Sequence, residues 1–470
     1  MRTIIELVEK IKSRELKSVD IVREYIDVIN AKKEYNAVIE VFDDALEIAK
    51  SIDERLDNGE LLGKLAGVPI IIKDNILYKG KIAGCASKFM QDYHAEYNST
   101  VVSKLLKEDA VIVGRANMDE FAMGGSTEKS CYGPCLNALD KTRVPGGSSG
   151  GSASAVAGGM TPCALGTDTG GSIRQPSSFN GIVGIKPTYG RVSRYGVVAF
   201  ASSLDQVGPI TLNVADNAYM LSILAGYDVN DGTTLKAEVP NYTEALDKDI
   251  KGLKVGICNQ VQALMKDSKA FDETVEWFKS QGAEIVNVDI KDIELCLPVY
   301  YILAPAEASS NLGRFDGVKY SARSKDANTL EEIYFKSRSA GFGPEVQRRI
   351  MLGNFVLSSG YYDAYYLKAK RVQHAVKRQF REAFSKCDCI IMPTTLGEAY
   401  KIGSITNPVD MYLEDIFTIP ANIAGLPAIN IPYAKGPNGM PLGLQIMGKE
   451  LDEMMVYRIA DYFEKNHKEN

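Results

Sequence analysis

The sequence predicts an α/β protein in which helices cover both faces of a mixed central β-sheet. Five short runs are apolar almost throughout, which is typical of strands buried on both sides. They lie at residues 67–72, 110–113, 182–185, 389–392 and 428–431. After residue 250, strand-like and helical segments alternate, which favours a layered α/β arrangement. Because no repeat or Pro/Ser-rich linker divides the chain, we expect a single domain over residues 1–470.

Two helices are predicted before the first strand. The first has an apolar face at helical spacing, formed by Ile4, Leu7, Val8 and Ile11. Ser18 is placed to cap a second helix, whose apolar face consists of Ile21, Tyr25 and Val28. Such faces pack against a core more often than against a partner. We therefore expect residues 1–60 to pack on the main body.

The rest of the chain continues this pattern. Residues 67–211 combine the first three apolar runs with many Gly, Ser and Thr residues, and we place the core of the domain there. Further on, residues 254–258 and 284–288 are predicted strands, and residues 272–281 a helix. Residues 344–385 are predicted to form one long helical stretch.

Composition and charge exclude several classes of protein. The net charge of −6 argues against this chain alone binding nucleic acid, although a partner could do so. Its eight cysteines form no Cys-x-x-Cys pair and fit no common zinc site, so we expect reduced thiols and no metal. The N-terminus has no apolar segment typical of a secretory signal, and no run of 18 apolar residues occurs. We expect a cytoplasmic protein.

Three segments could carry chemistry, and the first ends in Lys73. This lysine directly follows three isoleucines at the end of a predicted strand. Its ammonium group could reach water from the strand end, or it could stay buried and act as a base. Neutrality at pH 7 would require its pKa to fall from about 10.4, at a cost of roughly 4.6 kcal/mol. Burial alone can lower a lysine pKa by about 3–5.

The second and third segments are rich in glycine and serine. Residues 145–153 suit a flexible linker or a turn before a helix, and Gly146-x-Ser148-x-Gly150 matches the nucleophile elbow of α/β-hydrolases. In residues 166–176, two glycines precede Ser172. Such a turn can be an ordinary capped turn, or it can aim several N–H groups at one oxyanion.

The histidines argue against a Ser-His-Asp triad. The chain has three, His94, His374 and His467. Each lies in a polar stretch or close to the C-terminus, where a catalytic base is not expected. Lysine is a known substitute for histidine as the base of a serine nucleophile.

Together, the three segments resemble the amidase-signature family over nearly the whole chain. The resemblance implies a Ser–Ser–Lys triad in which Ser172 attacks an amide carbonyl. Ser148, after a cis peptide bond, would relay the proton between Ser172 and Lys73. The oxyanion hole would consist of backbone N–H groups, those of Thr169, Gly170, Gly171 and Ser172.

Within that family, the chain is similar to the glutaminase subunits of aspartyl/glutamyl-tRNA amidotransferases. The similar stretches are residues 117–126, 186–193, 200–205, 360–366 and 422–427. The resemblance implies that the chain frees ammonia from glutamine without a cofactor of its own. The B subunit of such an enzyme would bind misacylated Glu-tRNA or Asp-tRNA and amidate it with ATP and Mg²⁺. A small C subunit would complete a heterotrimer.

Two charged residues are implied as substrate contacts. Glutamine carries an α-carboxylate and an α-ammonium group, so a selective pocket needs one fixed cation and one fixed anion. By resemblance these are Arg349 and Asp415, with Arg348 as the alternative cation. Without the family, both would be surface charges on helices. The alternatives are a stand-alone amidase for aryl, peptide or alkyl amides, a catalytically silent scaffold protein, and an α/β-hydrolase with Ser148 as nucleophile.

Overall fold

The computed structural model of the chain describes residues 2–265 and 269–467. Within them, eleven strands form one sheet in the order β1-β3-β2-β4-β6-β5-β10-β11-β9-β7-β8. The strands are β1 Val38–Val41, β2 Pro69–Lys73, β3 Val111–Ala116, β4 Cys163–Asp168, β5 Val183–Lys186, β6 Gln206–Thr211, β7 Lys254–Cys258, β8 Glu284–Val288, β9 Cys389–Pro393, β10 Ala428–Lys435 and β11 Pro441–Met447. Strand β2 pairs in parallel with β3 and β4, whereas β4 pairs antiparallel with β6, so the sheet is mixed as predicted.

Helices cover both faces of this sheet. They are α1 Ile4–Lys12, α2 Ser18–Ala31, α3 Ala45–Asp57, α4 Thr100–Lys107, α5 Gly150–Ala157, α6 Arg174–Phe179, α7 Val214–Leu224, α8 Asn259–Leu264, α9 Lys269–Ser280, α10 Cys296–Asn311, α11 Leu330–Gly341, α12 Pro344–Leu357, α13 Lys368–Phe384, α14 Pro408–Leu413, α15 Ile419–Ala424 and α16 Glu453–Asn466. None of these helices is long and apolar enough to cross a bilayer. All eight cysteines are unpaired.

The two faces of the sheet can be followed along β2. Ile70 and Ile72 belong to the core on one face, where α1, α7 and α16 pack. Ile71 points to the opposite core, together with α2, α3 and α5. Alternate residues of a strand face opposite sides, so a run of three isoleucines needs cover on both faces. The N-terminal helices α1 and α2 contribute residues to these cores.

Four strands were not predicted: β1, β4, β6 and β11. Strands β4 and β6 contain glycine, and β6 also contains Pro209, which favour loops when the sequence is considered alone. Residues 344–385 were predicted as one helical stretch, but they form two separate α-helices. The chain leaves the helical conformation after α12, and Gly360 there has a φ of +87°. A π-helical turn at Tyr362–Leu367 then precedes α13.

The predicted cap of α2 was also wrong. Ser18 is the first residue of the helix, and its preceding residue makes no side-chain cap. Instead, Asp53 of α3 accepts hydrogen bonds from the backbone N–H groups of Ser18 at 2.7 Å and Val19 at 3.0 Å. A carboxylate at a helix N-terminus satisfies free N–H groups and favours the helix dipole. The cap of α2 therefore comes from another helix.

We expect Asp53→Ala to destabilise the protein by about 1 kcal/mol, because it removes the acceptor for two N–H groups of α2. The measurement is the urea midpoint of unfolding at unchanged m-value. Asp57→Ala is the matched control: it lies on the same helix, and its exposed carboxylate is 3.9 Å from Arg14. Its effect should stay within about 0.5 kcal/mol. Equal losses in the two variants would contradict the capping role.

Candidate active site

Three parallel strands bring the polar segments together. Strands β3, β2 and β4 are neighbours in the sheet, so their carboxyl ends lie at one edge. Lys73 is the last residue of β2, Asp119 follows β3 closely, and the turn to Ser172 follows β4. The carboxyl edge of parallel strands is where α/β proteins commonly place their sites. Segments that are far apart in sequence therefore meet at one edge.

Lys73 lies at the centre of the site and has no exposed surface. Its Nζ donates hydrogen bonds to Ser148 Oγ at 2.8 Å, Ser149 Oγ at 2.8 Å and Thr167 Oγ1 at 2.9 Å. In residues 2–265 and 269–467, no carboxylate lies within ion-pair distance of this amine. Burial lowers the pKa of Lys73 to about 7, against the opposing influence of Asp119. The amine can therefore take up or release a proton near neutral pH.

Ser148 and Ser149 are equally close to Lys73 but differ in their other bonds. Ser149 Oγ donates to the carbonyl of Thr167 at 3.1 Å and accepts the N–H of that residue at 3.2 Å. The described structure gives Ser148 Oγ no hydrogen-bond partner besides Lys73. A hydroxyl has one proton, and in Ser149 that proton is committed to β4. Only Ser148 is therefore able to pass a proton onward.

Ser172 lies at the surface of this buried cluster and is 8% exposed. Its Oγ makes no hydrogen bond within the described part of the chain, and neither do the backbone N–H groups of Thr169, Gly170 and Ser172. Gly171 differs from the sequence prediction, since its N–H donates to Asp168 Oδ1 at 2.9 Å. The φ of Gly171 is +142°, a conformation that favours glycine. Three of the four predicted oxyanion donors are thus free in this conformation.

The turn that carries Ser172 is held by a buried ion pair. Arg174 Nε and Nη2 donate to the two oxygens of Asp168 at 3.0 and 2.9 Å, and both side chains are fully buried. Asn422 and the N–H of Ile173 also donate to this carboxylate. Burial by itself would raise the pKa of Asp168, but Arg174 and the hydrogen bonds to this carboxylate together lower it to about 2. A permanent anion therefore anchors the turn.

This ion pair was not predicted, although the sequence contains a signal for it. Asp168 and Arg174 are the only charged residues between positions 144 and 185. A charge within such an apolar and small-residue stretch must be paired if it is buried. Two opposite charges on either side of the Gly-Gly-Ser turn could have been interpreted as its anchor.

Asp119 is a second buried carboxylate that the sequence did not single out. It accepts the N–H groups of Ser126 at 3.2 Å and Thr127 at 3.0 Å, and its own N–H donates to the carbonyl of Ser148 at 3.3 Å. A Cβ atom at Gly147 would lie only 2.1 Å from Asp119 Oδ2. Asp119 therefore fixes the loop of Ser148, and glycine at position 147 permits the close approach.

Arg349 is buried rather than a surface charge. Its Nε donates to Glu345 Oε1 at 2.9 Å, and its side chain is 4% exposed. The side chain of Arg348 is 49% exposed and also contacts Glu345. The guanidinium of Arg349 lies within 5.6 Å of three ring centroids, those of Phe200, Tyr301 and Tyr412. Of the two neighbouring arginines, Arg349 is the buried one.

Asp415 lies beside the turn of Ser172. A Cβ atom at Gly171 would be 3.3 Å from Asp415 Oδ1. The carboxylate makes no hydrogen bond with any described residue, and burial raises its pKa well above the usual value, although Arg349 opposes this. A cation bound next to it would therefore be stabilised. The structure places both predicted charged residues near the site.

The histidines and the elbow motif do not build a second site. His94 and His374 are exposed, and no histidine among the described residues hydrogen-bonds to Ser148 or Ser172. A nucleophile elbow follows a strand directly, whereas residues 144–149 are irregular and lead into α5. The strand that a nucleophile elbow requires is therefore missing before Ser148, which argues against the α/β-hydrolase alternative.

The family model described as Amidase matches residues 20–457, and the chain belongs to that family. The family resemblance and the predicted fold class are thereby confirmed.

The chain is similar over nearly its full length to several named proteins and solved structures. The A subunit of glutamyl-tRNA(Gln) amidotransferase from Fusobacterium nucleatum is 48% identical over 468 residues, 98% of this chain and 96% of that protein. The same subunit from Caldanaerobacter subterraneus is 49% identical over 474 residues, 99% and 96%. The structure of its Thermotoga maritima counterpart has a TM-score of 0.80 at 40% identity, covering 96% of this chain and 92% of that one. The peptide amidase of Stenotrophomonas maltophilia has a TM-score of 0.85 at 26% identity, covering 99% and 96%.

Gly171→Ala should impair the turn of Ser172, because a Cβ there would lie 2.3 Å from Thr418 Oγ1 and the φ disfavours alanine. We expect a loss of about 1–3 kcal/mol in unfolding free energy and reduced amide hydrolysis. Gly125→Ala is the control, since its nearest neighbours are 3.9 Å from the added Cβ. Stability and activity are measured side by side. An unaffected Gly171→Ala protein would show that the turn is not constrained as described.

Proposed function

We propose that the chain is the glutaminase component of a tRNA-dependent amidotransferase, with Ser172 as nucleophile and Ser148 and Lys73 as its proton relay. The observation that carries the chemistry is the buried amine of Lys73, bonded to Ser148 and free of any carboxylate partner in the described structure. An amine that is neutral near pH 7 can act as the base for a serine. The relatives named above supply the biological setting.

The first half of the reaction acylates Ser172. The Ser172 hydroxyl loses its proton to Ser148, whose own proton passes to Lys73, and Oγ adds to the side-chain carbonyl of glutamine. The N–H groups of Thr169, Gly170 and Ser172 support the oxyanion. When the tetrahedral intermediate collapses, the C–N bond breaks and the nitrogen takes the proton back through Ser148. Ammonia leaves, and a glutamyl ester remains on Ser172.

The second half restores the enzyme. Water loses a proton to the relay of Ser148 and Lys73 and adds to the ester carbonyl. The same N–H groups stabilise the second oxyanion. The C–O bond to Ser172 then breaks, glutamate leaves, and the serine oxygen recovers its proton. This acyl transfer requires no metal or organic cofactor, and we expect none in this chain.

Substrate selection is assigned to two charged residues. Arg349 would bind the α-carboxylate of glutamine, and its burial would favour a charge-assisted hydrogen bond. Asp415 would bind the α-ammonium group, which would also lower the raised pKa of that carboxyl. Glu345 already pairs with Arg349, so the substrate carboxylate would join an existing ion pair. Neutral amides lack both charges and would leave these groups without partners.

The setting of this chemistry is a complex of several proteins. Ammonia released here would be used by the B subunit, which would bind misacylated tRNA and consume ATP with Mg²⁺. The small C subunit would complete a cytoplasmic heterotrimer. The net charge of −6 fits a chain that leaves most tRNA contacts to its partner.

A stand-alone amidase is the second candidate. It is favoured by the similarity in structure to the peptide amidase of Stenotrophomonas maltophilia. Such an enzyme would use the same Ser172, Ser148 and Lys73 on neutral amides. The presence of Arg349 and Asp415 beside the turn of Ser172 favours the glutamine enzyme instead.

Ser172→Ala and Lys73→Ala should each lower ammonia release from glutamine by at least about 10³-fold, because they remove the nucleophile and its base. Ser103→Ala, an exposed serine on α4, should have no effect. Ammonia is measured in parallel from glutamine, asparagine, aryl amides and alkyl amides. Release chiefly from glutamine, raised when the tRNA-binding partner is added, is expected. Broad release from neutral amides would instead indicate the stand-alone amidase, and normal turnover in Ser172→Ala would refute the nucleophile.

The pH dependence should report the charge of Lys73. Only the neutral amine can accept a proton, so kcat/KM should rise about tenfold per pH unit below about 7 and level off above it. Lys186→Met is a matched control, because burial also lowers the pKa of Lys186 to about 7, while its Nζ donates to the carbonyl of Pro187 rather than to the site. This variant should keep the rising limb. A flat profile in the unmodified enzyme would contradict a lysine base.

A further inference from the structure

Two parts of the proposed site come from distant parts of the chain. Ser148 lies in the loop before α5, and Arg349 lies on α12, about two hundred residues later. Glutamine can reach Ser172 and pair with Arg349 at the same time only if the distance between these two parts is fixed. The segment after β3 contacts both parts.

Glu120 contacts the start of α12. Its carboxylate is buried, and both oxygens accept the N–H of Gly343, Oε1 at 3.1 Å and Oε2 at 2.9 Å. Gly343 directly precedes Pro344, the first residue of α12. The carboxylate also accepts the hydroxyl of Ser87 at 2.5 Å. Glu120 therefore satisfies a backbone donor at the helix start and holds that start against the main body.

The preceding residue contacts the other part of the site. Asp119 fixes the loop of Ser148 through its carboxylate and its N–H, as described above. Asp119 and Glu120 are neighbours in a tight turn, in which the next residue, Phe121, has a φ of +48°. Two consecutive carboxylates thus point in different directions, one to each part of the site.

The turn before α12 leaves little space for another arrangement. A Cβ atom at Gly343 would lie 2.2 Å from Glu120 Oε2, and one at Gly341 would lie 2.5 Å from the ring of Phe89. The ring of Phe342 packs at 4.8 Å from Phe89, between centroids. Arg349 follows Gly343 by six residues, or about 9 Å of helix. A shift at the helix start would therefore reach Arg349.

We propose that Glu120 is a positioning residue: it seats the start of α12 on the segment that also holds the Ser148 loop, and thereby sets Arg349 at its distance from Ser172. In the described structure, the Glu120 side chain bonds to Ser87 and Gly343 and not to Lys73, Ser148 or Ser172. The proposal rests on the proposed role of Arg349 as the substrate's carboxylate contact. Loss of Glu120 should therefore weaken glutamine binding and leave the serine chemistry intact.

The test compares KM, kcat and serine reactivity in the full-length chain. Glu120→Ala should raise the KM for glutamine about tenfold to about hundredfold, the effect of weakening a charge-assisted hydrogen bond, with kcat and the rate of Ser172 inactivation by phenylmethanesulfonyl fluoride within about threefold of the unmodified enzyme. Glu120→Gln retains an oxygen that can accept the Gly343 N–H and should restore KM to within about threefold. Glu128→Ala is the matched control, because its carboxylate accepts the N–H of Gly403, a glycine outside α12. It should leave KM unchanged.

A double-mutant cycle keeps the test independent of simple destabilisation. Gly343→Ala should raise KM because its Cβ displaces Glu120, but in the Glu120→Ala background it should add no more than about twofold. An unchanged KM in Glu120→Ala, a kcat that falls with it, additive effects in the cycle, or a Glu120→Gln enzyme as impaired as Glu120→Ala would overturn the proposal. Arg349→Met separates the two hypotheses. If it leaves KM unchanged, the proposed substrate contact fails, whatever Glu120 does.

Discussion

The structure of the site depends on the burial of Lys73 without a counter-ion. The end of β2 places the amine in the interior, and the only described groups that bond to it are hydroxyls and a carbonyl. A carboxylate at that place would hold the amine protonated. Because no described carboxylate contacts the amine directly, burial is the main influence on Lys73 and lowers its pKa to about 7. Ser148 and Ser149 then divide two tasks, since only Ser148 keeps a proton that is not committed to backbone.

Around this titratable amine, permanently charged residues serve as anchors. Asp168 and Arg174 form a buried pair whose carboxylate orients the turn of Ser172. Breaking such a pair on one side is costly, because it leaves an uncompensated buried charge. The same carboxylate accepts the N–H of Gly171. The ion pair that holds the turn therefore leaves one N–H group fewer for an oxyanion. The charges that hold the backbone are thus separated from the amine that would move protons.

Much of this could be predicted from the sequence. Five apolar runs and the alternating pattern after residue 250 located seven of the strands. Lys73, Ser148 and Ser172 were chosen from strand-end and glycine-rich patterns together with the family resemblance. The roles of Asp119 and Glu120 could not be found in this way. Each acts on backbone N–H groups that belong to other segments, and such contacts leave no periodic or compositional pattern in the chain.

The sequence by itself determined the α/β class, the buried strands and the family, because hydrophobic periodicity and motif spacing are local properties of the chain. Tertiary structure alone decided which of two adjacent serines keeps a free proton, which of two adjacent arginines is buried, and which N–H groups remain available at Ser172. These outcomes depend on contacts between β2, β4, α5 and α12. The physical reason is that burial and hydrogen-bond partners, which set the pKa of a lysine and the availability of a proton, exist only once distant segments have packed together.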